Sequence, residues 1–409
     1  MQKMKPLHPE QHRSDLRILI ILSALMSFAS VSTDLYLPAM PAISQEFHSG
    51  SGGVQFTLSG FLIGFSLGQF IWGPVGDRYG RRLPVALGLM LFVFGSAGCA
   101  QASSIIEMII WRVIQAAGAC AGPVLARAMV RDLYSRERSA QMLSTLFMFM
   151  AVAPLSGPFL GGQILIHSNW HMIFWVMAGM GMMALAGLSL LPETLKPSAR
   201  ATSPLSHALA GYLRLVKDKR VMGYGLAGAC YYAGFYAFIA GTPDAYINYY
   251  HVLPQFYGLL FGVNVVGIIS ANFINKRLVS RVGSERLFHY GTAVAALSGI
   301  GFAIDSRFGW GGITGLILPF FIYASMNGFI VANSVAGALA ETTTNAGAVS
   351  SLIGAMHYGS GIFSAAILGW WSDHTPWPMG ATLGMVALAG WLIALRLKQH
   401  LSPVIRIAE

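Results

Sequence analysis

Charge is scarce in this chain. Of 409 residues only 10% are Asp, Glu, Lys or Arg, while 55% are hydrophobic and the mean hydropathy is +0.59. That balance excludes disorder and a soluble protein of this size. Cysteine is scarce as well: Cys99, Cys120 and Cys230 are odd in number and lie inside apolar runs. That disfavours a disulfide framework, and the three read as packing residues. No GxxxxGK[ST] loop is present to cradle nucleotide phosphates, which disfavours ATP-driven transport. His and Cys spacing offers no metal site, and no enzymatic constellation stands out, so no metal, no cofactor and no enzyme activity is expected. The net charge of +10 and pI near 9.6 lack the clustered basic stripe that would indicate nucleic acid. The first apolar run has no small-residue cleavage site and reads as a retained helix.

What the chain does have is long apolar runs. They reach about 20 residues, the length an α-helix needs to cross a bilayer, and far exceed a barrel strand. Twelve spans follow, at residues 16–40, 54–76, 83–102, 105–130, 140–166, 170–191, 222–246, 256–274, 287–304, 311–339, 346–371 and 379–397. The fold class is therefore an all-α polytopic membrane protein of 12 transmembrane helices, with the lipid bilayer as its partner. A polar connection splits the spans six and six: tail 1–15, bundle 16–191, linker 192–220, bundle 221–397 and tail 398–409. With both termini cytoplasmic, 23 of the 26 basic residues fall on the cytoplasmic side, which fixes the expected orientation.

The turn GPVGDRYGRR, from Gly73 to Arg82, joins helices 2 and 3. Asp77, Arg78, Arg81 and Arg82 keep it out of hydrocarbon, and Gly76 and Gly80 permit a tight reversal. A shift of 203 residues lays Ser280, Arg281, Val282 and Gly283 on Asp77 to Gly80, a degraded copy that agrees with duplication of a six-helix unit. Gly60, Gly64 and Gly68 form overlapping GxxxG steps for close helix packing.

Ionisable groups inside a membrane are costly and need a reason. Asp34 on helix 1 and Arg112 on helix 4 lie at matched depth, roughly 10 Å below the outer surface, and either pair across an aqueous cavity or act separately. The alternatives are that helix 1 ends early and leaves Asp34 at the interface, and that Arg112 is a static brace. Arg127 reads as an interfacial side chain snorkelling at the cytoplasmic end of helix 4. Asp244 reads as interfacial too. Helix 5 carries Pro154, Gly157, Pro158, Gly161 and Gly162, which bend it and open space for neighbours. Tyr36, Gln69, Gln115, Phe149, Tyr231, Tyr232, Tyr236, Asn264, Asn327, Asn333 and His357 are candidates to line a substrate cavity or, individually, to pack between helices.

These residues resemble the major facilitator superfamily over the whole chain, most closely the bicyclomycin and chloramphenicol resistance branch of the twelve-helix drug:proton antiporters. Gly73, Asp77, Arg78, Gly80, Arg81 and Arg82 match the signature between helices 2 and 3. Arg112, Gln115 and Gly118 resemble the helix 4 motif, with Ala116 where glycine is common. Gly157, Pro158, Gly161 and Gly162 resemble the antiporter motif. Asp34 with Tyr36, Leu37, Pro38 and Pro41 is similar to the branch's helix 1 signature, and Asn169 to Phe174 and Leu191 to Thr194 fit its helix 6. The resemblance implies two pseudo-symmetric bundles around a central cavity that opens alternately to either side. It implies proton coupling through Asp34 and Arg112, energised by the proton gradient, and a cytoplasmic latch of Asp77 and the arginines, paired with helix 11 or with Asp132. It implies a monomer in the bacterial inner membrane that exports small amphipathic antibiotics of amphenicol or bicyclomycin type. The competing expectation is a proton-coupled carrier of a metabolite such as an amino acid or nucleoside.

Overall fold

Apolar runs become helices in the computed structural model, which describes residues 9–201, 211–340 and 346–401. Helix 1 is Pro9–Asp34, followed by a 3-10 turn Leu37–Ala39 and a short helix Met40–Glu46. Helices 2 to 6 are Gly50–Tyr79, Arg82–Gln101, Ile105–Leu133, Arg136–His167 and Trp170–Leu188. Helix 7, Lys219–Pro243, runs into a π-helical turn Asp244–Tyr249. Helices 8 and 9 are Pro254–Val282 and Ser284–Phe308. Helix 10 is broken at Met326 into Gly312–Ser325 and Asn327–Leu339, and helices 11 and 12 are Ala346–Trp370 and Trp377–Leu401. Among the described residues, ten helices are long and apolar enough to cross a membrane by length and composition. Helix 7 carries glycines and tyrosines among its aliphatic residues and is buried against neighbours on most sides.

Polar residues beside the runs set where the helices start. Ser104 Oγ accepts from Glu107 N, and Glu107 Oε2 reaches back to Ser103 N at 2.9 Å, a reciprocal cap on helix 4. Asn169 caps helix 6, and Asp218 caps helix 7 by accepting from Arg220 N and Val221 N.

The two halves repeat one pattern of neighbours. In the first, helix 1 packs on 5, helix 4 on 2 and 3, and helix 3 on 6; in the second, helix 7 packs on 11, helix 10 on 8 and 9, and helix 9 on 12. Gly80 and Gly283, one repeat apart, end helices 2 and 8 in nearly the same left-handed backbone, φ +91° and +88°. A side chain is strained there, so the turn keeps its glycine even where its charges have drifted.

Helices 2 and 11, and helices 5 and 8, join the halves. The join is tightest at the end carrying Asp34. There the backbones of Gly52 and Gly369 touch, and Gly162 leaves no room for a Cβ beside the Pro254 carbonyl. The segment after helix 1 also meets helix 7 and its π-helical turn at this end.

Candidate functional site

Helix 1 breaks at Asp34, but the break is inside the protein. Asp34 is 4% exposed, and Leu35, Tyr36, Leu37, Pro38 and Ala39 after it are buried too. The early end anticipated as one alternative is therefore real, whereas the surface position tied to it is not. Pro38 and Pro41 stop the regular helix, and apolar neighbours keep the next stretch buried.

Helix 5 presses on this break. A Cβ placed on Gly157 would lie 2.9 Å from Asp34 Cβ, and one on Gly161 would strike the Leu35 carbonyl. Gly162 points to helix 8 instead, Pro158 is buried and Pro154 is half-buried. The Asp34 carboxylate accepts from Thr33 Oγ1 at 3.2 Å. From the second half, the hydroxyls of Tyr236, Tyr257 and Tyr358 lie within its electrostatic reach.

Arg112 is 0% exposed. It is not paired with Asp34: Nη1 donates to the Ser32 carbonyl at 3.0 Å and to Gln115 Oε1 at 2.7 Å. Gln115 passes the chain on to Ser96 Oγ on helix 3 at 2.8 Å. The guanidinium carbon sits 4.6 Å from the Tyr36 ring centre and 4.5 Å from that of Phe61, with Phe174 at 5.9 Å. Tyr36 is fixed in turn by a hydroxyl contact with Thr57 of helix 2. Arg112 thus holds helix 1 by the backbone two residues before Asp34, a bracing geometry next to the acid.

The other predicted residues separate into groups. Tyr232 and His357 stack at 4.6 Å and 14°, with Tyr358 5.9 Å and Tyr236 6.3 Å from Tyr232. Asn327 starts the second part of helix 10, near Tyr231 and Tyr232 of helix 7. Gln69 faces Gly354 across the seam between halves. Tyr231 stacks on Tyr323 and donates to the Ala324 carbonyl, tying helix 7 to helix 10, the packing role anticipated as its alternative. Asn333 likewise donates to Asn275 Oδ1 and ties helix 10 to helix 8. Asn264 is buried and donates to the Phe261 carbonyl on its own helix. The Phe149 side chain lies outside the described residues.

At the opposite end, Arg81 bonds Asp77 Oδ1 at 2.7 Å and Asp132 Oδ2 at 2.8 Å. Of the two pairings anticipated for the Asp77 to Arg82 turn, this is the one with Asp132, inside the first half. Arg78 lies 5.8 Å over Tyr79, Gly73 is open to its surroundings, and the exposed turn after helix 6 closes the cluster. There Glu193 accepts from the N–H groups of Arg81 at 2.8 Å and Arg82 at 3.2 Å, capping helix 3. Partial burial pushes the Glu193 carboxyl up, but the N–H groups of Arg81, Leu195 and Arg82 and the charge of Arg200 outweigh it and hold it below the usual range.

Sequence reasoning missed Tyr257 and Tyr358, which lie within electrostatic reach of Asp34. Their signal, a tyrosine on an apolar helix, was shared with many packing residues. Arg127 was misread. Its Nε donates to the Pro123 carbonyl one turn back along helix 4, so the side chain runs away from the cytoplasmic end and does not snorkel toward it. Side chains lean toward a helix's N-terminus, and for helix 4 that is the Asp34 end.

A membrane bundle of two equivalent halves, with a buried acid where they meet, is the architecture of a secondary carrier. The Major Facilitator Superfamily profile matches residues 20–366, and the chain belongs to that family. An uncharacterized MFS-type transporter, YdgK, of Bacillus subtilis is 31% identical over 94% of this chain and 96% of its own. A bicyclomycin resistance protein homolog of Haemophilus influenzae is 30% identical over 91% and 94%, and a chloramphenicol resistance protein of Pseudomonas aeruginosa 28% identical over 88% and 85%. Among solved structures, a D-xylose-proton symporter superposes with a TM-score of 0.72 at 15% identity, covering 94% of this chain and 97% of the other, a likeness of fold alone.

Proposed function

We propose that this protein is a proton-coupled efflux antiporter that moves small amphipathic antibiotics of amphenicol or bicyclomycin type out of the cell by alternating access. It would lie in the bacterial inner membrane with the Arg81 end and both termini cytoplasmic, and with the proton gradient as its energy source. The observation that carries the reading is the placement of Asp34: a buried carboxylate at the break of helix 1, gripped by helix 5 and facing tyrosines of the other half. The resistance proteins among its relatives supply the substrate class.

In this cycle a proton from outside neutralises Asp34 and loosens the substrate. A neutral Asp34 also lowers the cost of closing apolar surfaces around it, so the empty, protonated carrier returns to the cytoplasmic side. Substrate binding there drives the proton off. Arg112 keeps the helix 1 backbone in place while Asp34 changes charge.

The test is substrate-dependent proton flux in proteoliposomes. Asp34→Asn is expected to abolish gradient-driven exchange while leaving folding and unfolded fraction unchanged. Gradient-driven transport that survives in Asp34→Asn removes Asp34 as the proton carrier. Proton flux that responds to an amino acid or nucleoside and to no drug replaces the efflux reading with a metabolite carrier.

A further inference from the structure

Helix 4 carries a second arginine that the cycle above does not use. Arg127 lies six residues before the helix ends at Leu133. Its Nε bond to the Pro123 carbonyl, 2.8 Å, lays the guanidinium back along helix 4, away from the cytoplasmic end. Among the described residues no carboxylate pairs with it, and the side chain is only partly buried. Across the seam, Tyr358 and Tyr232 of the second half lie within its electrostatic reach. Tyr232 is backed by the His357 ring at 4.6 Å, and Tyr358 is held 4.5 Å from Phe65 of helix 2.

A long cation with no carboxylate partner among the described residues, within reach of flat rings, is a recognisable binding chemistry. The rings take the apolar body of a ligand, and the guanidinium fork donates to acceptor oxygens such as carbonyl, nitro or carboxylate groups. Charge points the same way. Among the described buried side chains of helices 1 and 4 there is one carboxylate, Asp34, against the two guanidinium groups of Arg112 and, partly buried, Arg127. An organic cation entering beside Arg127 meets like charge in a water-poor site, and an acceptor-bearing amphiphile does not.

We propose that Arg127 is a specificity-determining residue, hydrogen-bonding acceptor oxygens of uncharged or anionic aromatic amphiphiles held against Tyr232 and Tyr358 and excluding lipophilic cations. The assignment rests on the efflux reading for its setting, and its test is separable from that reading. Tetraphenylborate and tetraphenylphosphonium share one shape and carry opposite charge. Their binding to the purified full chain in detergent is measured by competition and expressed as a ratio, with a radiolabelled amphenicol as a third probe.

In the wild type the anion is expected to outcompete the cation. Arg127→Gln should shrink the ratio about tenfold and Arg127→Glu invert it, while Arg127→Lys keeps the order. An unchanged ratio in Arg127→Gln overturns the proposal. So does a wild type in which tetraphenylphosphonium displaces bound amphenicol as well as tetraphenylborate does, a comparison that needs no folded variant. A wild type that ignores amphenicol but keeps an Arg127-dependent charge order supports the assignment and sinks the drug class proposed above.

Discussion

Arg112 illustrates how a membrane interior accommodates a full charge without a counter-ion beside it. One nitrogen satisfies two oxygens, and two aromatic faces cover the rest, at 4.6 Å and 4.5 Å. Stacked contacts of this kind contribute about 2 kcal/mol when desolvated, and a hydrogen bond to a charged group about 1.5–3 kcal/mol. Both depend on the planar fork, which lysine lacks. Arg112→Lys is therefore expected to lose about 2 kcal/mol of stability, seen as a lower thermal midpoint, together with weakened proton coupling. A variant as stable and as coupled as the wild type would show that a point charge suffices there. The composition of the chain announces the presence of this arginine, because any charge in such a run is conspicuous. Its partners are another matter: Ser32 lies 80 residues away and offers only its backbone carbonyl, which every residue has.

Among elements, the junction of helices 2, 3, 4 and 6 shows how a short signature becomes a structural joint. Arg81 binds helix 4 through Asp132, while Glu193, after helix 6, caps the start of helix 3 and Thr194 Oγ1 donates to Asp132 at 3.1 Å. The Glu193 carboxyl is held below its ordinary value in the folded protein. A depressed carboxyl contributes stability that is complete above the ordinary value of 4.5 and is lost as pH falls through the lower, folded value. Thermal midpoints followed from about pH 7 to about pH 3 should accordingly place Glu193→Gln below the wild type at neutral pH and converge with it in acid. A constant gap across that range would remove the charge of Glu193 from the joint. The LPET residues were legible as a pattern at the end of helix 6. That their acid caps a helix 112 residues earlier in the chain was not, since a cap reaching from helix 6 to helix 3 leaves no local spacing to read.

The whole molecule is fastened at its Asp34 end by contacts so close that only glycine fits, Gly52 against Gly369 between helices 2 and 11. Any carrier that alternates must break this contact. A valine at Gly52 should prevent its closure, since forcing a side chain into packed backbone costs about 1–3 kcal/mol, a five- to more than hundredfold shift between two conformations. Spin labels on the exposed Gln45 and Asn248, one from each half, are expected to report longer distances in Gly52→Val than in the wild type. An unchanged distribution would mean that this contact does not decide between conformations.

The twelve helices and their division were readable from the chain because hydrocarbon imposes a local rule: a segment that crosses must be long, apolar and internally hydrogen-bonded. Each span can be judged by itself, which is why the twelve runs correspond closely to the helices observed. The glycine turn and its copy were readable for the same reason, as Gly80 and Gly283 answer a backbone requirement at a single position. The use of each polar side chain was decided only in three dimensions. Tyr231 and Tyr232 are neighbours in sequence and identical in kind, yet one ties helix 7 to helix 10 while the other stacks on His357 at the seam. Successive residues on a helix point about 100° apart, so their roles depend on which helices lie on each side. That arrangement is a property of the assembled bundle, and it also turned Arg127 from an apparent surface anchor into a cation facing the other half.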